Sequence, residues 1–276
     1  MKLKVEHTTL FEYDALIFET ATEVKLRPTN LNGSSQRCLE FDLQVTPSTS
    51  IYEYTDFYGN SVHHFNIMER HNRLEIIATS IVETGSGHTA VSPGEDIFLQ
   101  DFLLASRYVQ FDPAVLDYAQ QFQAIADPYE LAETVCRVTN ETFTYESGVT
   151  GVHTTTSEVM ELRQGVCQDF AHVMIAVCRH LKVPARYISG YLYGGPGTDG
   201  LNRSSHAWCE VFCGPEKGWI AFDPTHATLL VDQRYIKIGA GRDYADVPPV
   251  RGTYKGRAAE QLKVVVRIWR LDENNA

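Results

Sequence analysis

An α+β fold is predicted for this chain of 276 residues, with an antiparallel β-sandwich ahead of a core in which helices pack on an antiparallel sheet. Three observations carry that reading. Short runs alternating between apolar and polar residues fill the chain from Leu3 to about Val82, and helical spacing first appears after a stretch rich in Gly, Ser and Thr. Beyond the longest helical pattern the chain returns to β-rich runs. Helices and strands are therefore segregated rather than alternating as in a wound parallel sheet.

Composition bounds the possibilities. With 43% apolar and 11% aromatic residues the chain can bury substantial cores. Lys and Arg total 24 against 35 Asp and Glu, a formal charge of -11, which disfavours nucleic acid and anionic membranes as partners. No stretch approaches the roughly 18 apolar residues of a membrane span. The start, "MKLKVEHTTLFEYD", alternates like a strand and lacks the apolar run of a signal peptide, so a cytoplasmic location is expected. The six cysteines have no regular spacing and are expected to be reduced thiols. There is no internal repeat.

The runs "LEFDLQVTP", "NSVHHFNIM" and "RLEIIATSIVE" are strands separated by turn-forming stretches such as "NLNGSS" and "FYGN", which gives a β-sandwich over 1–84. The linker falls at 85–99, within and just beyond "TGSGHTAVSPGED". The core, with a C-terminal loop and strand, is expected over 100–276. Residues 116–125 and 128–140 have helical spacing, with Asp127 placed as a cap and Pro128 in the first turn. In "RQGVCQDFAHVMIAVCRHLKVPARYISGY" a third helix opens at Cys167, and Pro184 ends it. "ARYISGYLY", "SHAWCEVFC", "GWIAFD" and "LKVVVRIWRL" follow as strands.

At about 100° per residue, Phe170, Ala171, Met174, Val177, Cys178 and Leu181 share a stripe with Cys167. Cys178 therefore reads as a buried apolar residue. Cys167 differs by position, because at the first turn its sulfur meets unpaired backbone N–H groups and the positive end of the helix dipole, which favour a thiolate. Position alone does not make a nucleophile; a base and an orienting group are also needed. His172 and His180 point about 140° and 220° around the helix from Cys167 and cannot serve it. His63, His64 and His71 belong to the β-rich half, with surface or sheet roles.

His206 opens the run "SHAWCEVFC". Strand alternation puts His206, Trp208 and Glu210 on one face, and Ala207, Cys209, Val211 and Cys213 on a core face. Asp223 ends the next run, and a tight antiparallel connection through "CGPEKG" would bring it beside His206. Cys, His and Asp at the ends of three elements are what acyl chemistry requires: a thiolate, a base that later protonates the leaving amine, and a carboxylate that fixes the imidazole. Taken singly, His206 could equally be structural, and Asp223 before Pro224 could be an Asx-type turn.

These residues resemble the bacterial transglutaminase-like cysteine proteins, which carry an N-terminal β-domain ahead of a transglutaminase/papain-like core. The resemblance rests on "GVCQDFAHV", "VPARYISGYL", "SHAWCEVF" and "GWIAFDPTH", with "KLRP", "DFYGNSVHHF" and "GRDYADVPPVRGTYKG" as weaker features. It implies Cys167 as nucleophile, His206 as base and Asp223 as orienting acid, with no cofactor. Cys209, where an aliphatic residue is usual, and Cys213, in the turn region, are small departures from the family pattern.

Other signals compete. His206, Cys209, Cys213, Asp223 and His226 are all acceptable zinc ligands, but Cys209 and Cys213 would lie about 13 Å apart on the face opposite His206. No metal site is expected. "GPGTDG" at 195–200 matches G-x-G-x-x-G after a strand, yet a strand rather than a helix follows it. It reads as a hairpin loop that could gate substrate near His206. Asp169, about 200° around the helix from Cys167, is expected to serve first-turn amides or a neighbouring element. Trp208 either shields the site or simply packs. The Cys167 N–H is the expected oxyanion donor, with Tyr145 and Gln164 as candidates for the second. The segment 241–256 either lines the far side of the cleft or ties down a loop.

The expected activity is acyl transfer from a peptide or protein substrate to water. Transfer to an amine is the alternative, and a catalytically silent binding module stays open as a third reading. The β-domain is expected to narrow the cleft or to recruit a partner. The oligomeric state is not legible.

Overall fold

In the computed structural model, residues 1–31, 35–85, 99–226 and 231–271 are described; of the expected linker, 86–98 lie outside them. The strands of the first part are β1 (Lys2–Val24), β2 (Gln36–Thr46), β3 (Ile51–Thr55), β4 (Ser61–Ile67) and β5 (His71–Thr84). Among the described residues, helices of seven residues or more follow as α1 (Pro113–Ala119), α2 (Pro128–Thr142), α3 (Thr156–Leu162) and α4 (Cys167–His180), with the short strands β6 (Thr144–Tyr145) and β7 (Gln164–Gly165) among them. Next come β8 (Ala185–Leu192), β9 (His206–Phe212), β10 (Trp219–Phe222), β11 (Tyr235–Gly241), β12 (Val250–Lys255) and β13 (Glu260–Arg270). Among the described residues no helix is long and apolar enough to cross a membrane.

β1 organises the sandwich. Alternation buries Leu3, Val5, His7 and Thr9 in its first half and Thr20, Thr22 and Val24 in its second. The inward set changes parity because the strand register shifts twice, between Glu12 and Ile17 and between Phe18 and Ala21, around Glu19 at φ 49°. The first half pairs with β5 and β13, the second with β4 and β12. β2 extends the first sheet and β3 the second, all antiparallel. Two four-stranded sheets, β2-β5-β1-β13 and β3-β4-β1-β12, thus share one strand.

This corrects the expectation that the end of the chain belongs to the core: β12 and β13 complete the sandwich on either half of β1. The alternation in "LKVVVRIWRL" specifies a strand but not which open edge it will pair with.

The core sheet is antiparallel in the order β10-β9-β8-β11. Helix starts are marked by side chains that accept first-turn N–H groups: Asp112 from Ala114 and Val115, and Asp127 from Glu130, each followed by proline at the first turn. Thr155 and Glu158 cap α3 reciprocally. In α4 every residue from Gln168 to Arg179 is buried, not one stripe alone, because helices cover one side and the β8–β9 face the other. Its single buried cation is satisfied by backbone: Arg179 donates to the carbonyls of Ala185 at 2.9 Å, Leu104 at 2.9 Å and Arg242 at 2.6 Å.

β11 ends the core sheet, and its outer edge is closed by side chains of the sandwich. Asn60 accepts from the Ala240 N–H at 2.8 Å and donates to the Ala240 carbonyl at 2.9 Å. Gln36 accepts from the Lys237 N–H at 2.8 Å and donates to the Lys237 carbonyl at 2.7 Å. Two side-chain amides thus imitate a fifth strand. Behind them Tyr191, Tyr193, Ile236 and Ile238 join the sandwich core of Leu3, Val5, Phe65 and Ile76, so the two layers are continuous. Asn60→Ala is expected to leave both Ala240 groups buried without partners and to cost about 3 kcal/mol in urea denaturation. Tyr52→Ala, at a residue 66% exposed, should change stability by less than about 0.5 kcal/mol.

Candidate active site

The sulfur of Cys167 is aimed by the turn that precedes it. Arg163 ends α3 in the left-handed conformation at φ 55°, two residues pair with Thr144 and Tyr145 as β7, and extended Val166 caps α4. Asp169 reaches back to accept from the Val166 N–H at 2.8 Å and from the Thr150 hydroxyl at 2.6 Å, the amide-satisfying role expected of it. A Cβ at position 165 would sit 2.6 Å from that carboxylate, which accounts for Gly165. Cys167 therefore opens the helix half-buried, facing a cleft.

All six cysteines are unpaired. Burial pushes the thiol of Cys178 up to about 12 and that of Cys213 up to about 11, and raises those of Cys136 and Cys209 as well. Ala207, Cys209, Val211 and Cys213 all lie in the helical core, as strand alternation requires.

His206 enters from the start of β9 and Asp223 from the end of β10. The antiparallel register Phe222↔Cys209 sets them side by side. The His206 Nε2 lies 2.7 Å from Asp223 Oδ2. That leaves Nδ1 free of Asp223, and His206 and Cys167 line the same cleft. Burial disfavours the charged imidazole, but the hydrogen bond to Asp223 and the nearby Asp223 and Cys167 groups outweigh it and raise its pKa to about 10. Asp223 is fully buried; burial works against its charge, yet the hydrogen bonds from His206 and His226 hold the carboxyl far below its usual range.

Three further residues complete this carboxylate. The Tyr235 hydroxyl donates to Asp223 Oδ2 at 2.8 Å, and His226 Nδ1 lies 2.9 Å from the same oxygen. The Thr225 N–H donates to Oδ1 at 2.9 Å. Sequence reasoning weighed His226 only as a zinc ligand and missed Tyr235. The alternation in "YIKIGAG" was the available signal, masked by its lysine and glycines. His206, Asp223 and His226 present ligand atoms within 4.8 Å of one another, close enough for a metal ion. Here those atoms are engaged with each other, while Cys209 and Cys213 face the core.

Trp208 packs beneath the imidazole, its ring centroid 6.2 Å from that of His206 and 5.3 Å from that of Tyr235. His172 is buried between Tyr108 and Tyr187, accepts from the Tyr244 N–H at 3.2 Å, and is lowered by burial to about 4. Tyr145 lines the cleft; Gln164 is exposed and is not among the lining residues.

The cleft has a volume of about 850 Å³. Its walls come from all parts of the chain: Tyr108, His153 and Tyr187 from the core, His7, Thr9 and Thr20 from the interior of the sandwich, and Arg251, Leu262 and Val264 from its last strands. Segment 241–256 serves both expected purposes. Tyr244 and Pro248 line the cleft, Arg242 pairs with Asp246 at 2.9 Å, and Asp243 accepts from the Tyr108 N–H at 2.7 Å. The loop at 195–200 corrects the gating expectation. Gly200 donates to the Ile268 carbonyl at 3.0 Å and lies against the Trp269 ring, so the loop is fastened to β13, and only Ser204 and Ser205 beyond it reach the cleft.

Comparison with known proteins adds an independent line. Residues 117–224 match the transglutaminase-like superfamily, and residues 3–83 match the bacterial transglutaminase-like N-terminal region. An uncharacterized protein of Mycobacterium leprae is 33% identical over 98% of this chain and 99% of its own length. One of Mycobacterium tuberculosis is 34% identical over 91% of this chain and 87% of its own. A crystal structure from Cytophaga hutchinsonii, described as that of a putative cysteine protease, superposes with a TM-score of 0.77 at 27% identity, covering 100% of this chain and 92% of that one.

The ionisation of the pair has a consequence for stability. His206, raised above its ordinary 6.5, contributes stability that is fully present below about pH 6.5 and is lost as pH rises through about 10. Asp223, depressed, contributes above its ordinary value of 3.8 and loses that contribution as pH falls below it. Melting temperature recorded from pH 4 to 10 is expected to fall more steeply above pH 6.5 for the wild type than for His206→Ala; parallel profiles would contradict the assignment.

Proposed function

Because the chain belongs to the transglutaminase-like superfamily, we propose that it is a cysteine-dependent acyl-transfer enzyme in which Cys167 is the nucleophile, His206 the general acid and base, and Asp223 the group that orients the imidazole. The observation that carries this reading is that Cys167 and His206 line one cleft of about 850 Å³ while His206 is hydrogen-bonded at 2.7 Å to a buried Asp223.

The chemistry follows from the positions. The Cys167 sulfur, as thiolate, attacks the carbonyl carbon of an amide, and the carbonyl oxygen becomes an oxyanion facing the Cys167 N–H at the start of α4. The intermediate collapses with cleavage of the C–N bond, and the imidazolium passes its Nδ1 proton to the leaving amine. A thioester remains. Water then attacks the thioester carbon, His206 takes the water's proton, and the C–S bond breaks to release the carboxylic acid. Asp223 keeps Nε2 protonated throughout, which leaves Nδ1 as the nitrogen that exchanges protons. Water is the preferred acceptor in this reading, supported by the likeness to the Cytophaga hutchinsonii protein. Transfer to a primary amine uses the same groups, with an amine replacing water in the second half.

Alkylation by iodoacetamide from pH 5 to 9, mapped by peptide mass, tests the reading without a substrate. Below neutral pH, Cys167 is expected to react well ahead of half-buried Cys38, and His206→Ala is expected to lose that advantage. Equal reactivity of the two cysteines in the wild type would sink the proposal. With a peptide amide that is turned over, His206→Ala should lower kcat about 10³-fold, and added primary amine should divert product only if the amine is an acceptor.

A further inference from the structure

The outer edge of β13 changes character along its length. Residues alternate between facing β1 and facing outward. The Leu271 N–H donates to the Lys2 carbonyl, so the odd-numbered residues turn to β1, and Val266, Val264, Leu262 and Glu260 turn their N–H and C=O groups away from it. The far half of that edge is covered by the stretch from Asp199 to Arg203. The Arg270 N–H donates to Asp199 Oδ1 at 2.7 Å, the Ile268 carbonyl accepts from the Gly200 N–H at 3.0 Å, and Val266 exchanges both its hydrogen bonds with Arg203 at 2.8 and 2.9 Å. Beyond Arg203 the covering chain departs through Ser204 and Ser205 to become His206. Among the described residues nothing then pairs with the outward backbone groups of Val264, Leu262 and Glu260.

That bare stretch spans about 14 Å at about 3.4 Å per residue. It begins where the covering chain turns into His206, and the side chains of Glu260, Leu262 and Val264 line the same cleft as Cys167. Leu262 is 56% exposed and Val264 39% exposed. An open edge with apolar exposed side chains attracts any extended chain.

Resting on the acyl-transfer reading, we propose that an extended, unfolded segment of the polypeptide substrate adds to β13 as a further strand. It continues the antiparallel course of the Asp199–Arg203 stretch, pairs with Val264 and Leu262, and turns apolar side chains toward theirs. Backbone pairing then supplies affinity with little regard to sequence, and the acyl carbonyl is carried along the cleft past Ser205 toward Cys167. The sandwich becomes the substrate-holding half of the enzyme.

The test uses the full chain and chloromethyl ketones, in which the Cys167 sulfur displaces chloride. Acetyl-alanyl and acetyl-tetra-alanyl chloromethyl ketones are compared with iodoacetamide. The longer peptide is expected to alkylate Cys167 about tenfold faster than the shorter, as two or three backbone hydrogen bonds require. Methylating alternate amides of the longer reagent should remove the gain for one parity and spare the other, the signature of a strand paired along one edge. In Val264→Pro, where the lost N–H faces away from β1, the ratio of the long-peptide to the iodoacetamide rate should fall to that of the short reagent. No gain with length, or equal sensitivity to both methylation parities, overturns the proposal. So does a dimer that Val264→Pro converts to a monomer while the length gain persists, since the edge would then serve a second copy of the chain. Failure of Cys167 to react with any of the reagents would instead count against the acyl-transfer reading itself.

Discussion

The buried carboxylate of Asp223 is the constraint on which the rest of the architecture depends. A fully buried charge is tolerated only when its oxygens are supplied with donors, and here they come from three separate places: His206 at the start of β9, the Thr225–His226 turn after β10, and Tyr235 at the start of β11. Supplying them fixes the register of β9 against β10 and brings β11 to the other side of β8. The sheet cannot slide by a residue without stranding the charge. β11 in turn becomes an edge strand with nothing of the core beyond it, and the side-chain amides of Gln36 and Asn60 close it. The electrostatics of the candidate site and the docking of the sandwich are thus two ends of one chain of hydrogen bonds.

The helix carrying Cys167 meets the opposite problem. Because α4 is buried all round, its position is set by packing, and a shift of its first turn is resisted along its whole length. Its far end is pinned by Arg179 through three carbonyls, including that of Arg242 in the segment that lines the cleft. Its near end is pinned by Asp169. The sulfur is therefore presented by a rigid element held at both ends, and the imidazole by a strand whose register is locked.

Much of this was legible in the sequence, for physical reasons. Helices with a capping Asp followed by proline announce themselves locally, as at Asp127. The alternation of "SHAWCEVFC" separated the face of His206 from that of Cys209 because a strand's period is fixed at two. Other features depended on information no local window contains. α3 has seven residues and its periodicity is too short to register. β11 carries a buried lysine whose partner, Glu210, lies on another strand at 2.8 Å. Tyr235 gains its role only when that strand is in place. The destination of β13 was decided by which edge of β1 stood open, a property of the folded molecule rather than of residues 260–270.

The pairing of β1 with β13 makes neighbours of segments separated by nearly the whole length of the chain, Leu3 opposite Arg270 and Tyr13 opposite Glu260. During synthesis β1 is made first and must wait for every helix and strand of the core before its second edge is covered. One wall of the cleft, with Leu262 and Val264, is therefore the last part to arrive. A nascent chain can form the helix and strand that bear Cys167 and His206 and still lack the surface along which a substrate would run. The order of the sequence thus builds in a delay: the Cys167 sulfur is in place before the cleft wall opposite it, and the cleft is complete only when the sandwich has closed around its own first strand.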